Sequence, residues 1–195
     1  MKFFIASKNA DKIREFKEIF AEQGIGIVTE NDLTEPLPEP EETGADFRDN
    51  ALIKARAGAA FSGLPTVADD SGICVDALGG APGVFSARYA GEHGDNAANN
   101  RKLLSELSGV PAEKRGAHYT CVIACVFPDG REFTVSGECY GSIDFKETGN
   151  GGFGYDPLFI GESGKFSEIS AQQKNEISHR GKAVRLFKQK LNEYL

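Results

Sequence analysis

The segment TVADDSGICVDALGGAPGVFSARYAG, residues 66–91, sets two adjacent carboxylates, Asp69 and Asp70, directly after a short apolar run and ahead of Ser71-Gly72. Neighbouring acids at the exit of a buried strand repel each other and are costly to desolvate, so a cation that both see offsets that cost. Metal binding is the first chemistry the pair suggests. Asp70-Ser71-Gly72 reads as a sharp turn, and Gly79, Gly80 and Gly83 keep the next loop free of side-chain bulk where another group comes close. Taken alone, Asp-Asp-Ser-Gly is equally a solvated turn closed by an Asx hydrogen bond.

A second concentration of unusual residues is Gly149-Asn150-Gly151-Gly152-Phe153-Gly154-Tyr155-Asp156-Pro157. So many glycines in so short a stretch open backbone geometries closed to other residues and let the chain approach a ligand, at an entropic cost an idle loop seldom carries. Phe153 and Tyr155 offer flat faces for a base, and Asp156 offers an acceptor for a base or sugar donor. Near the C-terminus, His179 and Arg180 can donate towards a purine oxygen, whereas a 6-amino group would point a donor at a donor. Such a pocket favours 6-oxo over 6-amino purines. Core packing for the aromatics and a surface ion pair for His179-Arg180 are the plainer readings.

The elements that must hold these groups follow from periodicity. Lys2 to Ala6 reads as a buried strand, and Ile13, Phe16, Ile19 and Phe20 have the spacing of an amphipathic helix starting at Ala10. Asn9 is a good N-cap for that helix, whose free first-turn N–H groups attract anions, so Ser7, Asn9 and Lys12 are candidates to grip phosphate. Gly26 to Thr29 is a second strand, followed by an irregular Pro- and Glu-rich loop. Thr43 and Asp46 resemble a capping box that opens a helix through Phe47, Ala51, Ala55 and Ala59. Glu41 and Glu42 then lie just before the helix, and Asn50 and Lys54 share one of its faces. Acids in that position also simply favour the helix dipole.

Further along, Asp95 to Leu107 predicts a helix that buries Leu103, Leu104 and Leu107. Tyr119–Phe127 and Glu132–Tyr140 form a hairpin around Pro128-Asp129-Gly130, and a last helix runs from about Gln173 to Tyr194. Strands and helices mix without strict alternation, so the expected class is α/β with a mixed sheet. The 195 residues make one domain, 1–195. With 40% hydrophobic residues, no apolar run of membrane length and no leader-like start, a soluble cytoplasmic protein is expected. Cys74, Cys121, Cys125 and Cys139 lack zinc spacing and read as buried reduced thiols. A net charge of −7 argues against nucleic-acid partners, and nothing suggests a membrane partner.

Five segments, SKNADKIREF, EETGADFRDNALIKA, ADDSGICVDALGGAPGVFSARYAG, GGFGYDPLF and KNEISHRGKA, together resemble the inosine triphosphate pyrophosphatase family of XTP/dITP diphosphatases, in the family's order and over essentially the whole chain. The resemblance implies an elongated α/β fold of two lobes around a nucleotide cleft and a homodimer. It also implies a Mg²⁺ requirement and cleavage of purine nucleoside triphosphates such as ITP, dITP and XTP to monophosphate plus pyrophosphate. By the same resemblance the phosphates fall to the turn Ser7, Lys8, Asn9, Ala10, Asp11 and Lys12, in which Lys8 replaces the usual Gly, and to Lys54. Glu42 and Asp70 match the metal-binding acids, Asp70 also matches the proton acceptor, and Asp69 supports the metal shell. Ser71, Phe153, Gly154, Tyr155, Asp156, Lys174, His179 and Arg180 match substrate contacts.

The chemistry is consistent with that assignment. A triphosphate brings about four negative charges, which a metal and lysines must offset before a nucleophile approaches. Mg²⁺ draws roughly one or two carboxylates from protein, which suits Glu42 with Asp70. Two rivals differ in their residues. A Maf-type nucleotide pyrophosphatase would lack the SHRG helix and the GGFGYDP loop, and a nucleotide sensor without turnover would not need Glu42, Asp70 and Lys54 together.

Overall fold

The structure, a computed structural model, describes residues 1–22 and 24–195. Gln23 lies outside the described residues, as do the side chains of Asp11, Glu15, Glu18, Ile19 and Glu22; the expectations for Asp11 and Ile19 fall there. Apolar runs rich in β-branched and aromatic residues make the strands β1 (Lys2–Ile5), β2 (Gly26–Val28), β3 (Thr66–Val75), β4 (Gly116–Val126), β5 (Glu132–Ile143) and β6 (Phe159–Gly161), and the two-residue β7 (Gly164–Lys165) pairs with β6. They form one sheet in the order β2-β1-β3-β4-β5-β6-β7. β1 pairs in parallel with β2 and β3, whereas β6 pairs antiparallel with β5 and β7, so the sheet is mixed, as expected. Parallel neighbours need crossovers, and helices α1 (Ala10–Glu22) and α2 (Phe47–Ser62) supply them. The remaining helices are α3 (Asn96–Glu106), α4 (Ala171–Ile177) and α5 (His179–Leu191).

The chain divides into two compact units: Met1–Asp70 with Val122–Ser136 and Ala183–Leu195, and Ser71–Cys121 with Gly137–Lys182. In the first, Phe187 of α5 meets Phe16, Phe20 and Phe133 edge-on or stacked, with centroids 5.6–6.2 Å apart, and Phe3 stacks on Phe20 at 4.9 Å. The small face of α2, Ala51, Ala55, Gly58 and Ala59, is buried. A Cβ at Gly58 would come within 2.7 Å of Thr66 and 3.1 Å of Phe4, so the missing side chain lets α2 lie close against β1 and β3. In the second unit, Ile73, Val75, Leu103, Leu107, Tyr119, Leu158, Phe159 and Phe166 make the core. Buried Arg115 donates to the carbonyls of Leu107, Val110 and Asp144 at 2.8–3.1 Å, which fixes the point where the glycine-rich loop leaves β5.

Three local expectations need correction. β3 does not turn at Asp70-Ser71-Gly72 but runs extended through all three residues. α2 begins at Phe47 with Asp46 as its cap, accepting from Asp49 N at 2.8 Å, and Thr43 is exposed upstream of it. A side chain three residues before its N–H partner caps the helix, and Asp46 rather than Thr43 stands at that distance from the first turn. The last helix is two helices. Ser178 takes extended backbone (ψ 159°) between α4 and α5, its Oγ accepts from Gly181 N at 3.1 Å, and α5 restarts at His179. Gly181 is forced by this junction, because a Cβ there would collide with the Asn175 carbonyl oxygen. The four cysteines are free, with Cys74 half-buried and the others buried.

Gly181→Ala should therefore lose stability, by about 1–3 kcal/mol, the usual cost of overpacking, despite alanine's better helix propensity. The midpoint of urea unfolding measures it, and an unchanged midpoint would mean the α4–α5 junction relaxes freely.

Candidate active site

Side chains alternate across a strand, so Asp69 and Asp70 leave β3 on opposite faces. Each meets its own lysine: Asp69 Oδ2 lies 2.8 Å from Lys12 Nζ of α1, and Asp70 Oδ1 lies 2.8 Å from Lys54 Nζ of α2. Lys54 Nζ also lies 3.0 Å from Glu42 Oε1, so one ammonium is held between two carboxylates. Asn50, one helical turn before Lys54, donates to Asp70 Oδ2 at 3.5 Å and accepts from Gly44 N at 2.9 Å. That second bond ties the segment after Glu42 to α2, and a Cβ at Gly44 would lie within 2.8 Å of Asn50 and Asp49. Asp69 and Asp70 thus do not share one cation, as their adjacency suggested: each faces its own lysine, and the two carboxylates that meet one positive charge are Glu42 and Asp70, which are remote in sequence.

Lys12 is delivered by the turn before α1. Asn9 caps the helix, its Oδ1 accepting from Lys12 N at 3.2 Å and its carbonyl from Ile13 N at 3.0 Å, while Ser7 Oγ accepts from Asn9 N at 3.2 Å. Ser7 is half-buried, and Lys8, Asn9 and Ala10 are exposed. Lys8 pairs with Glu39 at 3.2 Å at the surface, where an ion pair contributes little.

Burial raises the Asp70 carboxyl above the ordinary value of 3.8; Lys54 pulls it back down and the Glu42 charge pushes it up. Burial also works to discharge Lys54, but Asp70, Asp69 and Glu42 outweigh it and hold the ammonium above 10.5. The pair is a charged lysine beside a carboxylate more basic than usual. Among the described residues no group of three His, Cys, Asp or Glu side chains is poised for a metal. Glu42 and Asp70 nonetheless fit a hard divalent cation that completes its shell with water and phosphate oxygens, since both already point at the positive charge of Lys54.

The second unit carries the other candidates. Phe153 is 45% exposed, with Lys174 Nζ 4.5 Å and the Arg180 guanidinium 5.7 Å from its ring centre. Arg180 Nη2 donates to Ser71 Oγ at 3.3 Å. His179 and Arg180 are both buried in the first turn of α5. Tyr155 is not a free flat face: its ring is buried and its hydroxyl donates to the Ser86 carbonyl at 2.8 Å. Asp156 is likewise engaged, buried with Oδ2 accepting from Lys174 and, at 2.8 Å, from Phe153 N. Two of the loop's glycines answer to internal packing, because a Cβ at Gly149 or Gly151 would stand 2.6–2.7 Å from Ser167, and Gly154 is left-handed (φ 62°).

Sequence reasoning assigned no site role to Asn100, Ser86 and Tyr119. Asn100 of α3 donates to the Gly154 carbonyl at 3.2 Å, and its Oδ1 is buried with no hydrogen-bond partner among the described residues. A signal existed for it: Asn100 sits three and four residues before Leu103 and Leu104, a polar residue on the apolar stripe of its helix. Ser86 Oγ accepts from Ile73 N at 2.9 Å and so seats the carbonyl that holds Tyr155. Ser86 also donates to the Gly83 carbonyl at 2.6 Å, a bond common to any serine in a helical turn, while its site-bearing partners and those of Tyr119 lie on other elements.

The fold recurs in solved proteins. The structure of the Staphylococcus aureus Ham1 protein superposes with a TM-score of 0.91 at 38% identity, covering all of both chains. The class is therefore the α/β fold of the Ham1 proteins. A dITP/XTP pyrophosphatase of Streptomyces avermitilis is 48% identical over 187 residues, 94% of each chain, and one of Streptomyces coelicolor is 46% identical over 100% of this chain and 98% of its own. The model of the Ham1 family matches residues 3–190, and the chain belongs to that family.

The electrostatics of the acid pair can be tested without metal. Carbon-detected titration of the metal-free protein should place Asp70 above 3.8, and Lys54→Met should raise it further by leaving burial uncompensated. Because the folded value lies above the unfolded one, the contribution of Asp70 to stability is present below 3.8 and is lost as pH rises through the folded value. A lower Asp70 value in Lys54→Met would refute this description.

Proposed function

We propose that this chain hydrolyses deaminated purine nucleoside triphosphates, XTP, dITP and ITP, to the monophosphate and pyrophosphate. The observation that carries this reading is the Lys54 ammonium shared by Glu42 and Asp70, in a chain 46–48% identical to proteins named dITP/XTP pyrophosphatases. In this reading the chain works as a single domain of two lobes. The triphosphate falls to Ser7, Lys8, Asn9, Ala10, Asp11, Lys12 and Lys54, and the base to Phe153, Gly154, Tyr155, Asp156, Lys174, His179 and Arg180, with Ser71 beside them. Mg²⁺ held by Glu42 and Asp70 supplies positive charge to the phosphate oxygens when bound. Asp70, made basic by burial, takes the proton of the attacking water. The α–β anhydride bond breaks, and Lys12 and Lys54 offset the charge that develops on the departing pyrophosphate. Asp69 keeps Lys12 in place.

Base choice rests on hydrogen-bond direction. Arg180 and His179 present donors, a 6-oxo purine presents an acceptor, and a 6-amino purine would leave buried donors unpaired at roughly 1–3 kcal/mol each. Cytoplasmic residence, a homodimer, and the absence of nucleic-acid and membrane partners belong to the same reading and rest on family likeness and on the net charge of −7.

Incubation with Mg²⁺ and a panel of nucleoside triphosphates, with products identified by phosphorus NMR, should give monophosphate and pyrophosphate from dITP and XTP and little from dATP. Tight dITP binding without product would instead make the chain a sensor. Asp70→Asn should cut kcat by about 10²–10⁴ while substrate binding survives better, as expected for loss of a positioned proton acceptor.

Arg180→Ala should lower kcat/KM for dITP much more than for dATP and so narrow their ratio. If both activities fall together, Arg180 serves phosphate or packing, and the base-reading role passes from it.

A further inference from the structure

Tyr119, on β4, touches two of the groups assigned to base recognition. Its ring lies 4.6 Å from the His179 imidazole, with only 10° between the planes. The same ring is braced by Phe166, nearly parallel at 6.1 Å, and by Phe159, edge-on at 4.8 Å. Its hydroxyl is fully buried and hydrogen-bonds with Asp156, and burial together with the nearby Asp156 charge holds the phenol well above its ordinary pKa of 10. It therefore remains a donor through any working pH. One strand residue thus contacts both the imidazole in the first turn of α5 and the carboxylate that anchors Lys174 and Phe153.

We propose that Tyr119 is a specificity-positioning residue, whose ring fixes the plane in which His179 presents its donor to the 6-oxo group of the purine. The proposal rests on the base-reading role given to His179 above. A hydrogen bond weakens steeply as its angle closes below about 120°, so an imidazole free to tilt loses discrimination before it loses contact. The ring does this work and the hydroxyl does not. Asp156 Oδ2 has two further donors, the Lys174 ammonium and Phe153 N, and stays held when the phenol is removed. The imidazole, by contrast, lies flat on the face of the Tyr119 ring, which any replacement without a ring takes away.

The test compares Tyr119→Phe, which keeps the ring, with Tyr119→Leu and Tyr119→Met, which remove it; methionine follows the lost volume more closely if leucine fails to fold. Circular dichroism and thermal melting select the folded variants. Kinetics with dITP and dATP are read beside the upfield ring-current shift of the His179 imidazole protons. Tyr119→Phe should retain the shift and keep the dITP:dATP ratio of kcat/KM within about threefold. The ringless variants should lose the shift and narrow the ratio by roughly 10–100-fold, mainly through KM for dITP, the scale on which a misaligned polar contact discriminates. A ringless variant that is folded and lacks the shift but keeps the ratio overturns the proposal, as does Tyr119→Phe narrowing it as much. Absence of dITP selectivity in the unmodified protein overturns the functional reading itself, and this proposal with it, before any variant is made.

Discussion

One half-buried ammonium organises the first unit. Lys54 sits between Glu42 and Asp70, and every nearby feature serves that meeting: the missing side chain at Gly58 lets α2 approach the sheet, Asn50 ties the Glu42 segment to the helix, and β3 stays extended so that Asp70 faces α2 while Asp69 faces α1. Removing one partner strands the other charge, which costs about 3–5 kcal/mol in a fully buried pair and less here, where Lys54 and Glu42 keep some exposure. The cluster is therefore intolerant of piecemeal change. It also holds a carboxylate more basic than its type.

The second unit solves a different problem, the rigid display of donors and one exposed ring. Here rigidity comes from hydrogen bonds directed inward together with the Asp156–Lys174 ion pair. Asn100 holds Gly154, the Ser86 carbonyl holds the Tyr155 hydroxyl, Asp156 gathers Lys174 and Phe153 N, and Ser167 fills the space that side chains at 149 and 151 would need. The glycines expected to make room for a ligand make room, in large part, for the protein itself.

Much of this was legible beforehand. Strong periodicity marked α1, α3 and the β4–β5 hairpin, and the cap at Asn9 and the face shared by Asn50 and Lys54 stand as read. Errors fell where two local signals compete. Asp-Asp-Ser-Gly carries turn chemistry, yet pairing within the sheet keeps it extended. Thr43 and Asp46 both suit a cap, and three residues decide between them. The apolar spacing from Ile177 to Leu191 continues across Ser178, so periodicity could not reveal that the helix stops and restarts there. Tyr119, Ser86 and Ser167 stayed hidden because the partners that tie them to the site, His179, Tyr155 and the Thr148 carbonyl, are distant in sequence, and no local pattern encodes that.

The contrast within the glycine-rich loop has a consequence in time. Its backbone is pinned from several sides, whereas the Phe153 ring is 45% exposed and turns about its own side-chain torsions. Exposed rotamers exchange within about picoseconds to nanoseconds, while enzymes turn over roughly ten times a second. A ring moving that fast over a fixed backbone reaches equilibrium millions of times in each catalytic cycle. In the function proposed above, Phe153 shapes how strongly a base is held, and the clock of the reaction lies elsewhere.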